Sequence, residues 1–501
     1  MDSPLLALIA YAASLYYVGL VAERLSCPAL VGEILVGMAL GPHGAKLLPA
    51  ELVSALSVAG QVGLLLMVCE GGLSMDLKVL KTQGVRATVL ALTGTILPVA
   101  LGAPLMIALK YEWMAAVASG TALSSTAIGF TLRLMSDLGL METPQGQLIT
   151  AAAMLDDVFS LVLLAMLQVL VDGAASTEDD NGDTGYAANL STPGPGAAMP
   201  SPPSLPPQMQ TPPIAWLITR PLLASFSVFV VSLLLGAIAL RMDASLRSFL
   251  SVPATGAIGT SSSCSSHSPA SESANVVIVD DPAAMAPAEA QSPPAAVGLK
   301  AAETTSSSTA RREICEWLFS DDATLALLLG MGVLAAWGAD ALYSSSLLGA
   351  FLAGTIFCSF DRARHAWQVV SPVQAWLTRA FFGATVAFTV PLDALLDGGA
   401  LGHGMLLTLA AILGKFLSGA WAAPLRSPDG SLAGRAYWCP FLQVGCAMIG
   451  RGELGFVLAK EALEAGLMPS RAYCATVWAL LLATLLGPFA FRLSLRCGRR
   501  R

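Results

Sequence analysis

The chain has 501 residues, of which 55% are hydrophobic and 12% charged, and its formal net charge is −7. A soluble domain carries about 25% charged residues, so this composition excludes a soluble enzyme or a soluble binding protein. Apolar runs of about 17–25 residues recur, each long enough to cross roughly 30 Å of hydrocarbon as a helix. No segment shows the alternation over about ten residues that membrane barrel strands need. We therefore predict an all-α polytopic membrane protein.

Thirteen spans are predicted in chain order, at 5–22, 28–42, 52–74, 86–109, 113–134, 145–171, 214–240, 322–339, 342–358, 372–392, 400–421, 435–460 and 472–491. Two long segments interrupt them. One, at 172–213, is rich in Pro, Gly and Asp, and the other, at 241–321, is rich in Ser, Ala and Pro. Neither can bury enough apolar surface to offset the entropy of ordering, so both are predicted to be disordered loops.

The spans divide into two repeats of six, at 1–171 and 322–492, joined by the span at 214–240 and followed by a basic tail at 493–501. Seven helices separate the two starts, so the second copy enters the membrane from the opposite face. Many secondary transporters have such inverted repeats, with the transport site at the midplane where broken helices meet.

Basic residues lie mostly on one side of these spans. With the N-terminus outside, twenty are cytoplasmic and only Lys46, Lys110, Arg220 and Arg471 lie on the opposite side. The positive-inside rule therefore favours a non-cytoplasmic N-terminus and a cytoplasmic C-terminus. The loop at 172–213 is then non-cytoplasmic, and the loop at 241–321 is cytoplasmic. The rule does not distinguish a plasma membrane from an organelle.

Two adjacent aspartates, Asp156 and Asp157, interrupt the sixth span. A charge at that depth costs at least ~2.5–3.5 kcal/mol, which makes a functional role the first hypothesis. Lys415 in the eleventh span is the natural partner of one of them. Adjacent residues point about 100° apart on a helix, so the other aspartate would face a cavity. It could bind a proton or a small cation but not both, which is the minimal chemistry of exchange. The alternative is an ion pair that only fixes helix packing.

Two further stretches contain signals for broken helices. TALSSTAIGF, at 121–130, groups four hydroxyl residues with glycines, and GCAMIGRGELGF, at 445–456, has four glycines around Arg451 and Glu453. They occupy matching positions in the two repeats, which is a pointer to a transporter site. Ordinary packing of small residues is the alternative. We interpret Arg451 and Glu453 as a mutual or helix-terminal charge arrangement rather than as ligands, and Glu70 as structural or gating.

These motifs together resemble the monovalent cation:proton antiporter superfamily, in the sodium/hydrogen exchanger family. The nearest branch holds bacterial sodium/proton antiporters and glutathione-gated potassium efflux antiporters. Besides the stretches above, the resemblance rests on VGEILVGMALGP at 31–42, LDD at 155–157, LLGAFLAGTIF at 347–357, RAFFGATVAFTVPLD at 379–393 and RGELGFVLA at 451–459. It covers the chain to about residue 490, apart from the two loops.

The resemblance implies an elevator-type antiporter with a moving core, a dimerising scaffold and no cofactor. It implies that Asp157 carries the cation and proton, that Asp156 pairs with Lys415, and that Ser125 and Thr126 line the site. Both acids of the pair are retained, which favours electrogenic Na⁺/H⁺ exchange. K⁺ is the alternative cation, and Lys415 would be a second proton carrier. No cytoplasmic nucleotide-binding domain is expected after the last helix.

Of two other functions, the residues leave the first open and argue against the second. A cation channel or cation-gated pore on the same fold would give single-channel currents. An intramembrane aspartyl protease needs two aspartates that face one another, which adjacent residues cannot do. The nine cysteines are scattered without CxxC spacing, so neither a metal site nor a disulfide framework is expected. The expected partners are the transported ions, lipid and a second copy of the chain, and no nucleic acid.

Overall fold

The computed structural model describes residues 4–25, 27–127, 129–178, 320–342, 344–422 and 435–499, with isolated positions between 223 and 241. The predicted linking span and nearly all of the two predicted loops lie outside the described residues. Seven described helices are long and apolar enough to cross a membrane, and two shorter apolar helices accompany them.

The first half begins with helices α1 (Pro4–Arg24), α2 (Ala29–Leu40), α3 (Ala50–Leu73) and α4 (Leu77–Ala108). A broken element follows, made of α5 (Trp113–Ala122) and α6 (Gly129–Asp137), and α7 (Pro144–Glu178) ends the half. Local signals set some of these ends. Asp76, for example, begins α4 by accepting a hydrogen bond from Lys78 N at 2.9 Å, which satisfies a donor that the first turn leaves free.

The second half begins with α8 (Asp321–Ala341), α9 (Ser346–Phe357) and α10 (Asp361–Ala380), and α10 continues as a π turn over Phe381–Val386 and a 3₁₀ turn over Ala387–Thr389. The short α11 (Leu392–Leu395) precedes α12 (Gly398–Ser418), which ends in a 3₁₀ turn over Gly419–Ala422. A second broken element, α13 (Arg435–Ala447) and α14 (Glu453–Glu464), precedes α15 (Ser470–Arg499).

Apart from the four-residue α11, the two halves share one order of elements: a long helix, a short one, two long ones, a broken one and a final long one. This order agrees with the expected repeat, and the all-α polytopic membrane fold is confirmed. The count of thirteen spans stays a prediction, because the linking span lies outside the described residues.

Several helices are longer than the predicted spans. α4 begins at Leu77 rather than 86 and α10 at Asp361 rather than 372. α7 continues to Glu178 and α15 to Arg499, so residues 172–178 and 493–499 are helical, where a loop and a tail were predicted. Hydropathy detects only the part of a helix that hydrocarbon surrounds. Backbone hydrogen bonds extend the helix into polar sequence beyond it.

The helices pack as two groups. The core group comprises α4–α7 and α12–α15, in which α4 packs on α5, α7 and α12, and α12 packs on α15. The scaffold group comprises α1–α3 and α8–α10, in which α3 packs on α9 and α10, and α8 packs on α9. Helices contact one another much more within each group than between the groups, so the two groups meet at a loosely packed interface.

Candidate functional site

The two broken elements meet at their breaks inside the core group. Ala127 N donates to Gly450 O at 3.0 Å, and Gly452 N donates to Ser125 O at 3.4 Å. Thr126 and Arg451 form an isolated antiparallel bridge between these bonds. A break inside a membrane leaves backbone groups without helical partners, and each break here supplies partners for the other.

Local sequence explains why the chain can break here. Ser124 Oγ donates to Thr121 O at 2.7 Å, so a side chain binds a carbonyl near the end of α5. On the other element, a Cβ on Gly452 would lie 2.8 Å from Thr126 O. A Cβ on Gly455 would lie 2.6 Å from Ala122 O. Only glycine permits this approach of two backbones.

Asp156 is the aspartate that meets the lysine. Lys415 Nζ lies 2.7 Å from Asp156 Oδ1, and both side chains are fully buried. Thr95 Oγ1, from α4, lies 3.0 Å from the same oxygen. Among the described residues Asp156 Oδ2 has no hydrogen-bond partner. The sequence prediction missed Thr95, because a single threonine in an apolar helix gives no signal.

Asp157 faces a different environment from Asp156. It lines a cavity of about 60 Å³ together with Thr126 and Glu453. The same three residues also line a second cavity of about 420 Å³. Asp157 therefore lies where the two cavities approach each other, whereas Asp156 is on the wall of neither.

The walls of the small cavity differ in character. The polar side chains on it, those of Thr126, Asp157 and Glu453, all belong to the core group. The scaffold group contributes apolar residues and one glycine: Met67, Val68, Gly71 and Phe351. The larger cavity extends to the ends of helices, where Ser74, Asp76, Glu142 and Arg364 line it. The small cavity thus lies between the two groups, and the larger one connects its polar residues to one end of the molecule.

The two hydroxyl residues predicted for the site have different surroundings. Thr126 is 5% exposed, and its Oγ1 has no hydrogen-bond partner among the described residues. Ser125 is 1% exposed, and its Oγ lies 3.5 Å from Gly452 O. Ser125 therefore bridges the two breaks and is on the wall of neither cavity, whereas Thr126 presents an unused hydroxyl beside Asp157.

Arg451 and Glu453 do not form the mutual pair that was one of the sequence interpretations. Arg451 is fully buried and donates from Nη2 to Ala411 O. Its Nε and Nη1 have no partner in the described part of the chain. Glu453 is the first residue of α14, where a carboxylate interacts favourably with the helix dipole. The helix-terminal interpretation thus fits Glu453, which also lines both cavities.

Glu70 lies in the scaffold group. Gln374 Nε2, from α10, donates to Glu70 Oε2 at 2.8 Å, which links α3 to α10. Glu70 is on the wall of neither cavity, although the adjacent Gly71 lines both. Its contacts favour the structural interpretation over gating.

Crossed broken helices with buried acids beside a cavity are the arrangement in which many polytopic secondary transporters place their site. The family model described as "Sodium/hydrogen exchanger, transmembrane" matches residues 8–269 and 315–497. The chain therefore belongs to the sodium/hydrogen exchanger family.

Curated relatives match over shorter stretches. The chain is 32% identical over 144 residues to the high-affinity Na⁺/H⁺ antiporter NhaS3 of Synechocystis, covering 28% of this chain and 31% of NhaS3. It is 32% identical over 143 residues to the Na⁺/H⁺-K⁺ antiporter GerN of Bacillus cereus, covering 28% and 36%. The matches thus span about a third of each relative.

A solved structure supports the fold over nearly the whole chain. The sodium proton antiporter MjNhaP1 of Methanocaldococcus jannaschii aligns with a TM-score of 0.58, covering 98% of each chain. The sequence identity is 16%, so this similarity concerns the fold alone.

Proposed function

We propose that this protein is a secondary antiporter that exchanges a monovalent cation, Na⁺ in preference to K⁺, for protons. The observation that carries the proposal is the separation of the two aspartates. Asp156 is neutralised by Lys415 at 2.7 Å, while Asp157 lines two cavities beside the unpartnered hydroxyl of Thr126. A carboxylate in such a place can hold a cation or a proton, and this competition couples the two fluxes.

Each residue of the site then has a role. Asp157 carries the cation and the proton, and Thr126 contributes its hydroxyl oxygen. Lys415 compensates Asp156, and Ser125 joins the two breaks. Arg451 offsets negative charge at the crossing, and Glu70 stabilises the scaffold group. Oxygen ligands of this kind suit a hard cation.

Access to the site favours an elevator mechanism. The larger cavity opens among Ser74, Asp76, Glu142 and Arg364, which lie near the basic residues that the positive-inside rule assigns to the cytoplasm. The described conformation is therefore inward-facing in this proposal. Apolar scaffold residues form the opposite wall, so movement of the core group past them would transfer the site to the other side. Two copies would associate through their scaffold groups.

The names of the relatives bear on the choice of ion, and the aspartate pair bears on the charge balance of the cycle. NhaS3 is named for Na⁺ and H⁺, while GerN is named for Na⁺, H⁺ and K⁺. Retention of both Asp156 and Asp157 favours an electrogenic cycle, in which more than one proton exchanges for each cation.

Reconstitution with Asp157→Asn tests the proposal. In liposomes that contain a pH dye, the wild type should respond to a Na⁺ gradient, and clamped voltage should alter the rate. Asp157→Asn should remove the response, because an amide can neither take up the proton nor neutralise the cation. Asp340→Asn is a suitable control, because Asp340 is exposed in α8 of the scaffold group.

Two results would contradict the proposal. Exchange retained by Asp157→Asn would refute the site. Single-channel currents from the wild type would show that the protein conducts ions as a channel rather than exchanging them.

A further inference from the structure

Glu453 is a second carboxylate on the walls of both cavities, and the proposed function above does not use it. Glu453 lines both cavities together with Asp157 and Thr126, although it comes from α14 and Asp157 comes from α7. Two carboxylates that face one cavity repel each other unless a cation or a proton lies between them.

The charges buried at the crossing indicate what could lie between them. Asp156 and Lys415 form an ion pair, so their charges cancel. Arg451 is fully buried and forms no ion pair at contact distance with an acid among the described residues, and its side chain donates to the carbonyl of Ala411. Asp157 and Glu453 supply two negative charges against this single positive charge. The crossing is therefore one charge negative when both acids are ionised.

One monovalent cation between Asp157 and Glu453 would bring this sum to zero. If Glu453 were absent, Arg451 would cancel Asp157, and a bound cation would leave an unbalanced positive charge in a membrane interior, where charge is costly. The unpartnered hydroxyl of Thr126, 5% exposed and on the same wall, is a further free ligand. A buried hydroxyl without a partner indicates a ligand or water beside it.

We propose that Glu453 coordinates the transported cation together with Asp157 and Thr126, and that its charge balances the buried Arg451. This inference rests on the proposed antiport function and extends it. Glu453 is then a cation ligand rather than only a favourable charge at the start of α14. The other charged groups that line the same cavities are Asp157, Asp76, Glu142 and Arg364, and only Asp157 shares the small cavity with it.

Transport kinetics of Glu453→Gln provide the first test. The KM for Na⁺ at alkaline pH should rise about tenfold or more, because a charged ligand is lost, whereas kcat should change less. Glu453→Asp should retain exchange with a smaller rise in KM. Glu461→Gln is the matched control, because Glu461 lies in the same helix but on the wall of neither cavity, and it should behave as wild type.

Thermal unfolding in detergent gives a second, transport-independent readout. A ligand that binds only the folded state raises the melting temperature, so NaCl should stabilise the wild type more than choline chloride of equal ionic strength does. Glu453→Gln should lose this difference, and Glu461→Gln should keep it.

The outcomes separate this inference from the proposed function. A Glu453→Gln protein with the wild-type KM and the wild-type response to NaCl overturns the role of Glu453 and leaves antiport intact. If Glu453→Gln fails to fold, Glu453→Ser takes its place, and a wild-type KM in that variant overturns the role of Glu453. A wild type that exchanges no cation contradicts the antiport proposal itself.

Discussion

At the scale of single residues, the environment of each carboxylate matters more than its presence. Asp156 and Asp157 are identical neighbours, yet one has Lys415 and Thr95 at hydrogen-bond distance and the other lines two cavities. Successive positions on a helix point in different directions, which is why one aspartate can be compensated while the other stays accessible.

Removal of one partner of the buried Asp156–Lys415 pair should destabilise the folded protein more than removal of both. Lys415→Met leaves Asp156 charged and unpaired, and loss of one partner of a buried ion pair costs about 3–5 kcal/mol. Asp156→Asn with Lys415→Met removes both charges and should recover much of that loss. Melting temperatures of the two single variants and the double variant form the required cycle. Strictly additive effects would show that the two side chains do not depend on each other.

Thr95 offers a milder test at the same scale. Thr95→Val removes a hydroxyl of similar shape and leaves Asp156 Oδ1 with Lys415 alone, at a cost of about 1–3 kcal/mol. Thr95→Ser retains the hydroxyl and should melt close to the wild type. Equal melting temperatures for Thr95→Val and the wild type would show that this bond contributes nothing.

At the scale of elements, the crossing depends on how closely two irregular backbones approach. The breaks in the two elements exchange hydrogen bonds between Ala127 and Gly450 and between Gly452 and Ser125. Neither break could be buried alone, because its free backbone groups would have no partners in hydrocarbon. The glycines and hydroxyl residues of TALSSTAIGF and GCAMIGRGELGF predicted both breaks, but not which atoms would pair.

A methyl group at the crossing should separate the two breaks. Gly452→Ala would place its Cβ 2.8 Å from Thr126 O, which backbone atoms cannot easily avoid. We expect destabilisation of about 1–3 kcal/mol and reduced exchange. Gly402→Ala in α12, where nothing lies within 4 Å, is the control and should be neutral or slightly stabilising. A Gly452→Ala protein as stable and active as the control would show that the crossing can accommodate a methyl group despite the close approach of Thr126 O.

At the scale of the whole molecule, the candidate site lies at the interface between the core and scaffold groups. Its polar side chains belong to the core group, and the scaffold wall is apolar apart from a glycine. This division suits a mechanism in which one group carries the ion and the other blocks it. The larger cavity gives the site a route to one end of the molecule in the described conformation.

Thiol labelling of oriented vesicles can test the direction of that route. In a variant without native cysteines, Ser74→Cys should react with a membrane-impermeant reagent only from the cytoplasmic side, because Ser74 is exposed and lines the larger cavity. Lys46→Cys, also exposed but assigned to the opposite side, should react only from outside. The reverse pattern would invert the topology derived from the basic residues.

The sequence by itself determined the membrane class, the order of the described helices, the two breaks and which charged residues lie within the spans. It could do so because hydrocarbon requires long apolar runs and makes every buried charge and every cluster of glycines conspicuous. The family resemblance had already implied that Asp156 pairs with Lys415, at the 2.7 Å contact that the structure shows. Only the tertiary structure decided that Thr95 joins them and that Glu453 shares a cavity with Asp157. The contacts of Asp156 with Thr95 and Lys415 join residues 61 and 259 positions apart, and helix rotation and packing, which local patterns do not encode, bring them together.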